Sequence, residues 1–259
     1  MVTRMRTFSI LAAALGACVL AAALLLGACM QSTRAEEVTP EQRLSQHIDA
    51  AERAAREHPD DVEKQLALAK LLHRKGAYGE KDAAQRADEM LQELYEAHPD
   101  RPLVAAYAGA AKMMRAQRTL LPWKKGELVK QGGAMIERAL EQAGDTPADE
   151  EWEVRYVRAV SAASLPEWME QGELARDEFA ELAEVAPEAV RDGRLTAHQA
   201  AVILVHHAAA LREAGKTEAA RRALDNAVEL SPDSHAGAEA RAALQAMSTP
   251  DRTSAAGTD

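Results

Sequence analysis

Apolar residues along most of this chain return every three or four positions, the period of a helix that buries one face. The pattern is clearest in "TAHQAAVILVHHAAALREAGKTEAARRALDNAVELSP", residues 196 to 232. There Leu204, Ala208 and Leu211 mark one amphipathic helix, Ala220, Leu224 and Ala227 mark a second, and Gly215 breaks the run between them. No sustained alternation of β-branched residues occurs, and no Asn-Gly or Asp-Gly hairpin turn separates two apolar runs. The pattern predicts an all-α chain.

Prolines divide the helical pattern into units. "REHPDD", "EAHPDR", "EVAPEA" and "ELSPDS" each close a helical run around Pro59, Pro99, Pro187 and Pro232, at intervals of about forty residues with one interval about twice as long. A proline lacks the N–H that would continue a helix, so each is expected to mark a helix-to-helix corner. In the unit before Pro99, Leu68, Ala69, Leu72 and Gly76 belong to a first helix and Ala87, Leu91 and Leu94 to a second, with a lengthened turn between them. Residues 102–118 pair with 124–143, where Gly132, Ile136 and Ala139 alternate small and large. Residues 148–164 pair with 167–185, where Ala175, Phe179 and Leu182 do the same. Thr39-Pro40-Glu41-Gln42 carries a capping threonine and a proline at the first helical position, so a cap helix is expected from here to His58. Residues 233–247 predict a closing helix, and the polar tail 248–259 is expected to be disordered.

The offsets of Leu204, Ala208, Leu211, Gly215, Ala220, Leu224, Ala227 and Pro232 resemble the tetratricopeptide repeat (TPR), with His207 where the motif has leucine. The resemblance implies a right-handed α-α superhelix, a TPR-like solenoid of about four helix pairs plus cap helices, over residues 39–247. It also implies that the first helix of each pair lines a concave groove. The family's groove positions fall on Leu66, Lys70 and His73 in the first pair and on Val202, Val205, Ala209 and Arg212 in the last. Leu66 and Val205 stand where relatives that clamp a carboxylate carry polar groups, so the expected partner is an apolar helix or an extended peptide with acidic flanks. Reversing Lys70 and Arg212 to glutamate is expected to abolish capture without unfolding the domain.

The N-terminus has a different pattern. Arg4 and Arg6 precede an uncharged run from Thr7 to Ala28, the layout of an export signal over residues 1–28. Leu26-Gly27-Ala28-Cys29 resembles the lipobox of bacterial lipoproteins, which implies that Cys29 becomes the acylated first residue, followed by a flexible tether over 29–38. Leu15-Gly16-Ala17-Cys18 matches equally well, but cleavage there would leave a largely apolar stretch on the mature chain. The run is also long enough to cross a bilayer of about 30 Å, which keeps an uncleaved anchor open. Met30 follows Cys29 in place of the aspartate associated with inner-membrane retention. The expected location is the cell envelope, periplasm-facing, at the outer membrane.

Composition narrows the chemistry. A formal charge of −10 argues against nucleic acid, and loss of the signal would remove two of the arginines. Both cysteines lie at or before Cys29, so the mature domain has no disulfide and no thiolate metal site. His-Glu-x-x-His, P-loop, Gly-x-Ser-x-Gly and dinucleotide motifs are absent, so neither an enzyme nor a cofactor is expected. His206 and His207 point about 100° apart on a helix and predict no metal site, with His207 in the core and His206 partly exposed. "ADEEWE" (148–153) reads as a solvated helix start. Trp123 and Trp168 follow matching "LLPW" and "LPEW" segments and are expected to staple helices, or alternatively to anchor an interface. Together these features predict a lipid-anchored, non-catalytic envelope scaffold that binds a protein or peptide. Alternatives are a solute-binding accessory of a transport system, an envelope enzyme with an unrecognised site, and self-association through the repeat ends.

Overall fold

Helix starts and stops follow local chemistry in the computed structural model, which describes residues 38–144, 150–166 and 171–248. Among these residues ten helices form: α1 (Pro40–Glu57), α2 (Val62–Ala77), α3 (Lys81–Ala97), α4 (Pro102–Arg118), α5 (Pro122–Gly144), α6 (Glu151–Ala163), α7 (Gly172–Arg191), α8 (Ala197–Glu213), α9 (Thr217–Leu230) and α10 (His235–Ser248). Proline opens α1, α4 and α5, where its missing N–H costs nothing. Asp61 caps α2 by accepting the Lys64 N–H at 3.2 Å. Thr196 and Gln199 cap α8 reciprocally: the Gln199 N–H donates to Thr196 Oγ1 at 3.2 Å and the Thr196 N–H to Gln199 Oε1 at 2.7 Å. At the other end of α8, Gly215 takes φ 72°, and the Lys216 N–H donates back to the Leu211 carbonyl at 2.8 Å.

The helices pack chiefly against their sequence neighbours, in the pairs α2/α3, α4/α5, α6/α7 and α8/α9 with α1 and α10 at the two ends. The result is a superhelix of helix pairs with no strand among the described residues. Leu91, Leu182 and Leu224, each at a seam position, are almost wholly buried, and such a side chain contributes about 2 kcal/mol. Small residues let the paired helices touch. A Cβ on Gly132 would lie 2.5 Å from the Gly109 carbonyl oxygen, so α4 and α5 meet backbone to backbone.

Two expectations are corrected. Pro59, Pro99 and Pro232 lie in turns just beyond α1, α3 and α9, but Pro187 sits inside α7. Pro187 is exposed while Ala186 and Ala189 beside it are fully buried, so burial of that face outweighs one lost hydrogen bond. The helix stops instead at Gly193, whose φ of 76° lets the Arg194 N–H donate to the Ala189 carbonyl at 2.8 Å. In the first pair the extra length is helical and does not enlarge the turn, because α3 already begins at Lys81. Ala84 therefore meets Gly76, with 2.5 Å between its Cβ and the position a Cβ on Gly76 would take. The signal segment, Cys29, most of the tether, Trp168 and the tail after Ser248 lie outside the described residues.

Candidate binding cavity on the concave face

Residues three or four apart share one face of a helix, so α2 sends Lys70, His73 and Arg74 to the same side. Tyr107 of α4, Glu153 and Tyr156 of α6, and His198, Gln199, Val202 and His206 of α8 converge on it. Together with Ala236 and Glu239 of α10 they line a cavity of about 450 Å³. The walls are largely apolar and aromatic, with a few placed polar groups, which is the usual make-up of a ligand site.

Glu153 organises the polar groups. Its Oε1 accepts from the Tyr107 hydroxyl at 2.8 Å, from Gln199 Nε2 at 2.8 Å and from Lys70 Nζ at 2.6 Å. Only 13% of its side chain is exposed, so the acidic run "ADEEWE" is not uniformly a solvated helix start. Position three of α6 turns Glu153 inward to meet Lys70, and the pair cancels in charge. Lys70 Nζ also lies 5.2 Å from the Tyr107 ring centroid.

Arg74 has no such partner. Among the described residues no carboxylate forms an ion pair with it, although Glu239 lines the same cavity from an exposed position. Burial lowers its pKa from the ordinary guanidinium value, and the hydroxyls of Tyr78, Tyr156 and Tyr107 work in the opposite direction. Arginine stays charged regardless, so the cavity holds one positive charge that no described carboxylate pairs with directly.

The histidine and tyrosine walls are neutral at pH 7. Burial pushes His73 down to about 4 and His198 down to about 3, and lowers His206. His73 Nε2 and His198 Nδ1 have no hydrogen-bond partner, while His198 Nε2 lies 3.5 Å from the Tyr78 hydroxyl. The His206 ring stacks on Phe179 with centroids 4.5 Å apart. His207 is half-buried, as His206 is, and so is not the core residue that its place in the motif suggests. Burial raises Tyr107 and Tyr156 well above the ordinary phenol value and Tyr78 to about 12. No group of three or more His, Cys, Asp or Glu side chains is placed to hold a metal among the described residues.

The two ends of the array meet. Arg43 of α1 lies 3.4 Å from Asp233, and Glu41 Oε1 lies 3.6 Å from His235 Nε2. Tyr78 stacks on His235 with ring centroids 3.9 Å apart. This contact turns a concave groove into a partly enclosed cavity, and it occupies the repeat ends that the sequence marks for self-association.

No family model matches the chain, and no curated protein matches it in sequence. Among solved structures it is similar to the crystal structure of a thermophilic TPR protein from Thermus thermophilus. That likeness has a TM-score of 0.54 at 16% identity and covers 79% of this chain and 90% of the other. The fold is TPR-like. At this identity the likeness establishes architecture alone, and everything else about the TPR-like array rests on its own residues.

Of the groove residues marked in the sequence, Lys70, His73 and Val202 come together in the cavity. Leu66 and Val205 are buried in the core, and Ala209 and Arg212 are exposed on α8 away from the cavity lining. Reversal of Lys70 would press two carboxylates together at Glu153, so the expectation that Lys70→Glu with Arg212→Glu spares the fold is withdrawn. Trp123 is 72% exposed and staples no helix pair, which leaves the interface-anchor alternative. Sequence reasoning missed Arg74, Tyr107, Glu153, Tyr156, His198 and Gln199. Arg74 adjoins His73 on α2 and was within reach, whereas α4 and α6 carry no motif that fixes their register.

Proposed function

We propose that this chain is a lipid-anchored, non-catalytic TPR-like scaffold of the cell envelope, facing the periplasm from the outer membrane, that takes a segment of an envelope protein into its concave cavity. The observation that carries this reading is Arg74, a half-buried cation with no ion-pair partner among the described residues, in a cavity walled by tyrosines. A segment that places an apolar side chain beside an acidic group supplies the ion-pair partner that Arg74 lacks. Membrane attachment rests on the lipobox-like Leu26-Gly27-Ala28-Cys29. A photo-crosslinking amino acid at Ala67, exposed at the cavity mouth, tests the reading in living cells. The expected result is one dominant envelope protein whose adduct disappears with Arg74→Glu and weakens when Cys29→Ala removes the anchor. A set of adducts unchanged by Arg74→Glu would remove the cavity from the interaction.

One observation favours a second reading. The end-to-end contact through Tyr78 and His235 encloses about 450 Å³, within the range of small-molecule sites. A solute-binding accessory of a transport system would carry a small anionic ligand there. Native mass spectrometry distinguishes the two, because a co-purifying ligand lost with Arg74→Glu, together with no protein adduct at Ala67, would replace the scaffold with a solute carrier.

A further inference from the structure

The turn between α4 and α5, with the start of α5, holds three of the four exposed large apolar side chains among the described residues: Leu120 at 95%, Trp123 at 72% and Leu121 at 44%. They are grouped around Pro122 and lie outside the concave-face cavity. Arg118, Lys124 and Lys125 flank them, no acidic residue lies between Arg118 and Lys125, and none of these three cations is paired with a carboxylate among the described residues. The base of the turn is braced. Thr119 Oγ1 donates to the Arg115 carbonyl at 3.0 Å, and Gln117 Nε2 donates to Ser164 Oγ at 2.9 Å on the neighbouring turn.

Two leucines and a tryptophan ringed by basic side chains match the chemistry of a bilayer interface. Leucine enters the acyl boundary, indole sits at headgroup level, and ammonium and guanidinium groups meet lipid phosphates. A chain of formal charge −10 is repelled as a whole by an anionic surface, so its approach is favoured only where cations lead. We infer that the Leu120–Trp123 turn is a docking tip that inserts into an anionic lipid surface. The tip requires no acyl chain at Cys29. It orients the array on a membrane, whereas an acyl chain on a tether only holds it nearby.

An environment-sensitive fluorescent amino acid at Leu120 of the full chain, mixed with phosphatidylcholine vesicles containing phosphatidylglycerol and brominated acyl chains, tests the tip. The same probe at exposed Asn226 on α9 is the control. The Leu120 probe is expected to shift to the blue and be quenched while the Asn226 probe is not. Lys124→Glu with Lys125→Glu is expected to weaken the partition about tenfold or more, and circular dichroism checks that the variants keep their helices. Three results overturn the inference: no quenching at Leu120, equal quenching in pure phosphatidylcholine, or a shift that appears only when envelope protein is added, which would make the turn a protein contact. Vesicle flotation of the Asn226-labelled chain carrying Lys124→Glu and Lys125→Glu reports the Cys29 anchor separately. A chain that floats with an unquenched Leu120 probe rejects the tip and leaves the anchor standing.

Discussion

His73 and His198 each carry a ring nitrogen without a partner inside a cavity that already holds the unpaired cation of Arg74. Protonating either ring would add a second buried charge, which is why burial holds them near 4 and 3. The sign of the consequence follows from linkage. Both folded-state values lie below the 6.5 of an unfolded histidine, so below pH 6.5 the unfolded chain binds more protons and stability falls with pH. The loss continues down to the folded-state values, at about 1.4 kcal/mol per unit for each histidine. Acidification from pH 7 to 5 is therefore expected to cost about 2 kcal/mol per histidine, read from urea midpoints at each pH. His73→Gln and His198→Gln should each remove about half of that decline. An unchanged slope in both variants would mean that these rings are already charged or solvated in the folded cavity.

Two substitutions to alanine, one in α7 and one in α5, are expected to act in opposite directions. Pro187→Ala on the exposed side of α7 restores a helical N–H and should raise stability by about 1–2 kcal/mol, after the more flexible unfolded chain takes back part of the gain. Gly132→Ala places a Cβ 2.5 Å from the Gly109 carbonyl and should cost about 2 kcal/mol by forcing α4 and α5 apart. Thermal unfolding of both variants checks the pair, and a stabilising Gly132→Ala would show that the two helices do not meet backbone to backbone. The same two helix pairs show what is legible in the sequence. The apolar period marks residues 102–118 as a helix and α4 spans Pro102–Arg118, because period and proline punctuation are both local signals. Pro187 misleads because the buried alanines that carry α7 past it act through tertiary packing. The true stop, Asp192-Gly193, is present in the sequence but is a weaker signal than the proline. The cavity is half legible for a related reason. Lys70, His73 and Val202 sit on helices that carry the TPR-like motif, while Tyr107, Glu153 and Tyr156 sit on helices that do not. Arg74 adjoins His73 on α2 and its place is legible, but its lack of an ion pair is not, since no pattern along a chain reports a carboxylate that fails to arrive.

Repeat arrays are usually open, with ends that never meet, and here the closing contact decides whether the concave face is a groove or a cavity. The groups that make it are Arg43 with Asp233, Glu41 with His235, and the Tyr78 ring on His235. The Arg43–Asp233 pair is solvent-exposed on both sides and contributes little, so the stacked rings and the Tyr78 hydroxyl near His198 carry most of the closure. Tyr78→Ala removes both while leaving the seams of all four helix pairs intact. Spin labels at exposed Gln46 on α1 and Glu229 on α9 read the outcome as a distance distribution. A narrow distribution is expected in the parent chain and a broad one, extending to longer distances, in Tyr78→Ala, with a loss of stability no larger than about 1–2 kcal/mol. If the parent distribution is already broad, the ends part freely in solution and the face admits an extended partner. If it narrows further when Ala67 captures its partner, closure and binding are one event, and Tyr78→Ala should then weaken capture without touching the cavity's charge.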